Sequence, residues 1–266
     1  MSKPLFSEFM LHRLVCDRHI QSCAWFMDID GTLLDLAPSP DRVHVPESLL
    51  WALGQIAQSP QHRIALISGR ALSDIQQRFA PLPLIFSGNH GAEYQAGPEH
   101  WTHENVQAFG RHHDAIAKAL APLRQEFSGL FIEDKTYSFS VHYRQVAAAE
   151  GPAVARRVRE AMTGIEAIEI VPAKLCWEIR PKPGPTKADA VHVLWQRVQA
   201  ILPSPTLAVV IGDDRTDEDA FAALPSAVTI HVGDGPTTAQ WTLPSPAAVR
   251  ALLQHTAQHL TTFFSC

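Results

Sequence analysis

In the stretch CAWFMDIDGTLLDLAPSPD, Asp28 and Asp30 stand two residues apart at the end of an apolar run. Side chains alternate along a strand, so a buried strand over Ala24 to Met27 would lean both carboxylates toward one spot. Two anions that close repel each other. Such a pair is tolerated when a cation sits between them, or when one carboxyl keeps its proton and serves as an acid. Gly31-Thr32 then turns the chain, and an Asp-Gly loop closing a strand is the plainer reading of the same residues. A second cluster, GDDRTDED, sets Asp213, Asp214, Asp217, Glu218 and Asp219 directly after the apolar AVVI. That many carboxylates at a buried strand end call for a hard cation, although an acidic loop also suits the N-terminus of a solvated helix. Ser68-Gly69-Arg70 follows a third apolar run, RIALI.

These loops need elements that bring them together. Apolar runs AWFMD, RIALISG, PLIFSG and TLAVVIGDD read as strands, and helical-period segments at Glu47–Gln58, Leu72–Phe79, Lys187–Ile201 and Asp217–Leu224 follow them. A last helix is expected within PSPAAVRALLQHTAQHL, with proline at its entry. This alternation predicts an α/β fold, a parallel sheet covered by helices on both faces. Ligands of such sheets bind in the crevice at the carboxyl ends of the strands, where the three loops would converge. The middle of the chain differs. A long helix over Asn105–Phe127 precedes GLFIEDK and TYSFSVHYR, a helix through GPAVARRVREAM, and the strands IEAIEIVPAK and LCWEIRP. Tyr137, Phe139, Val141 and Tyr143 alternate with Ser138, Ser140, His142 and Arg144, as in an antiparallel strand with one exposed face. An α+β unit over residues 104–179 is therefore expected between core segments 1–103 and 180–266, near the turn at Gly97-Pro98 and the proline-rich RPKPGPT.

Composition narrows the class. With 266 residues, 46% hydrophobic and 18% charged, the chain is an ordinary globular one. A net charge of −5 argues against nucleic acid as principal partner. No apolar run approaches the ~20 residues that span a bilayer, and charged residues interrupt the N-terminal stretch as they would not in a signal peptide. Cys16, Cys23, Cys176 and Cys266 lack metal-site spacing and suggest no disulfide framework. The expectation is a cytoplasmic monomer. His112 and His113 read as surface residues, without the spacing of metal ligands.

Asp28-Ile29-Asp30-Gly31-Thr32-Leu33, Ser68 of ISGR, Lys187 before a helix, and Gly212-Asp213-Asp214 resemble, in order, the four motifs of the haloacid dehalogenase superfamily of phosphohydrolases. SGNHGAEY, IEDKTYSFSVHYR, CWEIRP and GDDRTDEDAF are similar to the trehalose-6-phosphate phosphatases, whose cap domain is inserted between the second and third motifs. The resemblance implies a HAD-like Rossmannoid core with an inserted α+β cap. It implies Asp28 as nucleophile forming an aspartyl-phosphate, and Asp30 as general acid and then base. Mg²⁺ would be held by Asp28, the Asp30 carbonyl and Asp213, with Asp214 in support. Ser68 would bond a phosphate oxygen and Lys187 balance its charge. The substrate would be a small sugar phosphate, contacted by Glu133, Lys135 and Glu178, with His142 and Arg144, and Arg70, Asn89 and His90 on the core side.

Two departures stand out. Lys187 is followed by Ala188 where the family commonly has glycine, and Lys182 in the proline-rich stretch is a rival for its role. The same core chemistry would also serve a phosphatase or phosphomutase acting on sucrose phosphate or a hexose phosphate. A phospho-accepting receiver-like module also clusters Asp, a hydroxyl and Lys at parallel-strand ends, but the insertion and the second Asp of DID speak against it.

Overall fold

The computed structural model describes residues 3–37, 43–173 and 175–264. The chain divides into two compact units, Met1–Trp101 with Thr186–Cys266, and Thr102–Pro185. The first opens with α1 (Glu8–Asp17), β1 (Ser22–Met27), α2 (Glu47–Gln58), β2 (His62–Ile67), α3 (Leu72–Phe79), β3 (Ile85–Gly88), β4 (Glu93–Ala96) and β5 (Glu99–Thr102). The second unit contributes α4 (Val106–Leu120), α5 (Leu123–Glu126), β6 (Phe131–Asp134), β7 (Phe139–His142), α6 (Gly151–Ala161), β8 (Ile168–Ala173) and β9 (Cys176–Pro181). The chain returns to the first with α7 (Lys187–Gln199), β10 (Thr206–Gly212), α8 (Arg215–Ala223), β11 (Val228–Val232), β12 (Trp241–Leu243) and α9 (Pro246–Gln258).

The first unit is built on an eight-stranded sheet in the order β12-β11-β10-β1-β2-β3-β4-β5. Pairings from β12 through to β3 are parallel, and β4 runs antiparallel to β3. Every residue of β1 is buried, because alternate side chains serve two apolar layers. Cys23, Trp25 and Met27 pack with residues of α1, α2, α3 and α9. Ala24 and Phe26 pack with α7 and α8 on the other face. The α/β expectation is thus met, with helices on both sides of a mostly parallel sheet.

In the second unit four antiparallel strands are ordered β6-β7-β9-β8. Ile132, Phe139, Val141 and Ile179 join Phe109, Ile116, Val154 and Val158 of α4 and α6 in one apolar core. The long helix expected over Asn105–Phe127 is two, α4 and α5, with Pro122 between them as the residue before Leu123; proline lacks the donor a continuous helix needs there. Lys174, at the end of the expected strand IEAIEIVPAK, and Cys266 lie outside the described residues. Cys23 and Cys176 are free, whereas Cys16 is disulfide-bonded, which the cysteine spacing did not announce. No helix among the described residues is long and apolar enough to cross a membrane.

One buried group ties stability of the core to pH. His62 opens β2 with no exposed surface, its Nδ1 accepts the Trp25 indole N–H at 3.2 Å, and its ring packs on Phe263 and Phe264. Burial, helped by the Arg63 charge, lowers its pKa to about 3. The unfolded chain therefore takes up a proton that the folded chain refuses, so stability is full above about pH 6.5 and is lost as pH falls toward 3. We expect a loss of roughly 2–3 kcal/mol between pH 7 and pH 4.5 from this residue. Urea unfolding across that range should be correspondingly flatter in His62→Asn; identical slopes would mean that another group controls the acid limb.

Candidate active site

β1, β2 and β10 are adjacent and parallel, so the residues just past their carboxyl ends are neighbours in space although distant in sequence. The Asp28 N–H donates to the Ile211 carbonyl of β10, and the Ser68 N–H to Ser87 of β3. The sheet's hydrogen bonding thus runs one residue beyond the strands and fixes where these side chains start.

At the centre is Lys187, 3% exposed. Its ammonium donates to Asp28 Oδ1 and Asp217 Oδ1, each at 2.8 Å, and lies 3.8 Å from Asp214. Thr186 caps α7 in a reciprocal pair with Asp189, which makes Lys187 the first helical residue and settles where its side chain leaves the backbone. Burial alone would lower the Lys187 pKa, but the Asp217, Asp28 and Asp214 charges hold it well above its ordinary value. Lys182, the rival read from sequence, is exposed in the other unit.

Asp28, Asp213 and Asp217 each offer a carboxylate oxygen, and these lie within 4.8 Å of one another. Asp28 is raised to about 7 by burial and by the Asp213 charge, against the pull of Lys187. Asp213 is raised to about 6 by burial and by Asp217 and Asp214. Hard oxygen donors whose charged forms are disfavoured until a cation arrives fit a divalent metal. The backbone is shaped to the same end. Gly31 has φ +90°, and a Cβ there would collide with the Asp213 carboxylate, which Thr32 Oγ1 also steadies by donating at 3.2 Å.

Asp217 is the residue that sequence reading did not single out. It is buried at the third position of α8, where one oxygen takes Lys187 and the other accepts the N–H groups of Asp213 and Asp214 at 3.1 Å. Asp214 lies outside the three-carboxylate group. Its side chain is the N-cap of α8, accepting from the N–H groups of Thr216 and Asp217. Burial would raise its pKa, but Lys187 and these donors bring it down to about 2. The Asp-x-x-Asp spacing of a capping box was the available signal. A Cβ at Gly212 would strike Asp217, so this arrangement requires glycine before the acidic pair.

Asp30 faces another partner. Arg70 Nε and Nη2 clamp its two carboxylate oxygens at 2.6 and 2.7 Å, and Nη1 reaches Asp74 at 2.7 Å. Asp74 in turn binds Arg78. Arg70, expected on substrate, is thus engaged with carboxylates of its own unit. Ser68 is buried, with Oγ accepting the Arg70 N–H at 3.2 Å. Asn89 donates to Glu93 Oε1 at 2.7 Å, and that oxygen also accepts the first N–H of α3. His90 stands over Gly69, where a Cβ would meet its ring; both Asn89 and His90 have positive φ.

The remaining candidates lie in the second unit, on the sheet face opposite its apolar core. Glu133, Ser140 and Glu178 stand in register across β6, β7 and β9. Lys135 lies 4.0 Å from Glu133 and 3.8 Å from Glu178, and His142 Nε2 is 2.9 Å from Glu133 Oε2. Arg144 is exposed two residues past β7. The face is less open than alternation suggested, since Lys135, Ser138 and Ser140 are buried.

A parallel sheet with an aspartate pair, a buried lysine and an acidic loop at adjoining strand ends, interrupted by an antiparallel α+β unit, defines a phosphohydrolase of haloacid dehalogenase type. The chain belongs to the trehalose-phosphatase family, whose sequence model matches residues 26–246. It is 31% identical over 230 residues to trehalose-6-phosphate phosphatase of Escherichia coli (strain K12), covering 83% of this chain and 81% of that one. It is 33% identical over 246 residues to trehalose-phosphate phosphatase of Mycobacterium tuberculosis (strain ATCC 25618 / H37Rv), covering 89% of this chain and 62% of the mycobacterial protein. Among solved structures, a trehalose-6-phosphate phosphatase related protein superposes with a TM-score of 0.80 at 25% identity, covering 90% of this chain and 99% of that one. The C-terminal domain of the Candida albicans trehalose-6-phosphate phosphatase shares the fold, with a TM-score of 0.80 at 21% identity over 97% of this chain and 98% of that one.

Proposed function

We propose that this chain hydrolyses trehalose 6-phosphate to trehalose and phosphate, with Asp28 as nucleophile and Mg²⁺ as the working ion. The observation that carries the chemistry is the buried pairing of Asp28 with Lys187 beside Asp213. The substrate follows from the trehalose-phosphatase family and from the trehalose-6-phosphate phosphatases among its relatives. Lys187 holds Asp28 Oδ1, leaving Oδ2 to attack phosphorus in line and form an aspartyl-phosphate. Asp30 would protonate the leaving sugar oxygen and later take a proton from water. Each of its oxygens keeps a second lone pair beside the Arg70 clamp, so it can be oriented and reactive at once. Asp28 and Asp213 would hold the ion, with the Asp30 carbonyl, and Asp214 or Asp217 in support. The bound cation offsets repulsion between the anionic nucleophile and the phosphate. Ser68 would bond a phosphate oxygen, and Glu133, Lys135, His142, Arg144 and Glu178 would serve the sugar hydroxyls.

Phosphate release should be measured from trehalose 6-phosphate, sucrose 6-phosphate, glucose 6-phosphate and p-nitrophenyl phosphate, each with Mg²⁺ and with EDTA. A kcat/KM for trehalose 6-phosphate at least about 100-fold above the other sugars, and abolished by EDTA, is the expected result. Equal turnover of the hexose phosphate would overturn the substrate, and EDTA-resistant turnover would overturn the metal.

A further inference from the structure

The polar face of the four-stranded sheet carries an aromatic ledge. Phe131, the first residue of β6, stands opposite His142 of β7, and the two rings stack with centroids 5.7 Å apart and planes inclined by 28°. Alternation sends Ile132 into the apolar core and puts Phe131 on the same face as Glu133. Phe131 is 57% exposed. Isolated exposed apolar residues are common on protein surfaces; the neighbours of this one are what give it meaning. His142, on which its ring lies, is 2.9 Å from Glu133, and Glu133 and Glu178 flank Lys135. A flat ring beside carboxylates, an ammonium and an imidazole is the chemistry that receives a pyranose. Hydroxyls fork onto the charged groups, and the sugar's C–H face rests on the electron-rich face of the aromatic ring.

We infer that Phe131 is a specificity-determining residue whose ring, backed by His142, stacks against one pyranose ring of the disaccharide phosphate. This rests on the substrate proposed above. The competing role is a cross-strand pair that only braces the hairpin. The two roles differ in which substitution restores function: tyrosine keeps an aromatic face, whereas leucine keeps apolar packing on His142 without one.

Steady-state kinetics on trehalose 6-phosphate and on sugar-free p-nitrophenyl phosphate separate them. We expect Phe131→Ala to raise KM for trehalose 6-phosphate about tenfold with p-nitrophenyl phosphate turnover unchanged. Phe131→Tyr should stay within about twofold of the parent, and Phe131→Leu should behave like the alanine variant. Equal losses on both substrates, or full rescue by leucine, would overturn the stacking role; so would a lowered unfolding midpoint in Phe131→Ala that alone accounts for the loss. The unsubstituted protein's preference among sugar phosphates tests the substrate reading separately, because the stacking test reads only the ratio of each variant to the parent.

Discussion

Replacing Asp28 with asparagine will lower phosphate release by at least about 10³-fold while leaving the protein folded. An amide is a poor nucleophile, but asparagine has nearly the same volume and keeps an oxygen for the Lys187 ammonium now bonded at 2.8 Å. Burial, helped by the Asp213 and Asp214 charges, raises the Asp28 pKa to about 7, and the substitution removes the charge that these surroundings disfavour. The thermal midpoint should therefore be unchanged or higher without added metal. Rapid-quench labelling with ³²P substrate and a melting curve on the same preparation check both halves. Undiminished turnover would remove Asp28 from the proposed mechanism, and a collapse of the melting midpoint would assign it to the scaffold instead.

The second large effect concerns the lysine. In Lys187→Met, kcat/KM should fall by about 10²–10³-fold and unfolding free energy by about 3–5 kcal/mol, because breaking a buried ion pair strands the charges left behind. Those charges are identifiable: Asp28 and Asp217 each lose a 2.8 Å contact. A divalent cation among the same carboxylates should then stabilise this variant more than the parent, since binding to the folded state alone raises stability. Thermal shifts with and without Mg²⁺ measure this. A variant as stable as the parent and indifferent to the ion would show that Lys187 does not neutralise the cluster.

The sheet was legible because its strands are buried on both sides. RIALI and TLAVVI are apolar after their first residue, and the helices Glu47–Gln58 and Leu72–Phe79 have the bounds expected of them. The helix α1 and the buried strand β11 were not read from the sequence, and other elements that escaped were short or polar. β12 has only three residues, too few for any periodicity, and β4 and β5 carry Gln95, Glu99 and His100 at the sheet's margin. At the site, positions that follow strands were readable one at a time. The Arg70 clamp on Asp30 bridges 40 residues, and no local pattern announces such a pairing. Asp217 was visible as part of an acidic helix start; only burial separates it from the half-buried Asp213 and Glu218 and the exposed Asp214 and Asp219, and burial there depends on α7 bringing Lys187 alongside.

The order of the strands also has a consequence for how the protein is made. β1 is bordered by β2, which follows it closely in the chain, and by β10, where Ser22 pairs with Thr206, 184 positions later. On the ribosome, one edge of this apolar strand stays unpaired through the synthesis of the whole inserted unit, an exposure that invites association between nascent chains. Asp28, the proposed nucleophile, is translated early and its acidic neighbours Asp213 and Asp217 late. Catalytic competence can therefore arise only near the end of translation, and the long-range closure of β10 onto β1 is the step on which a chaperone would have most influence.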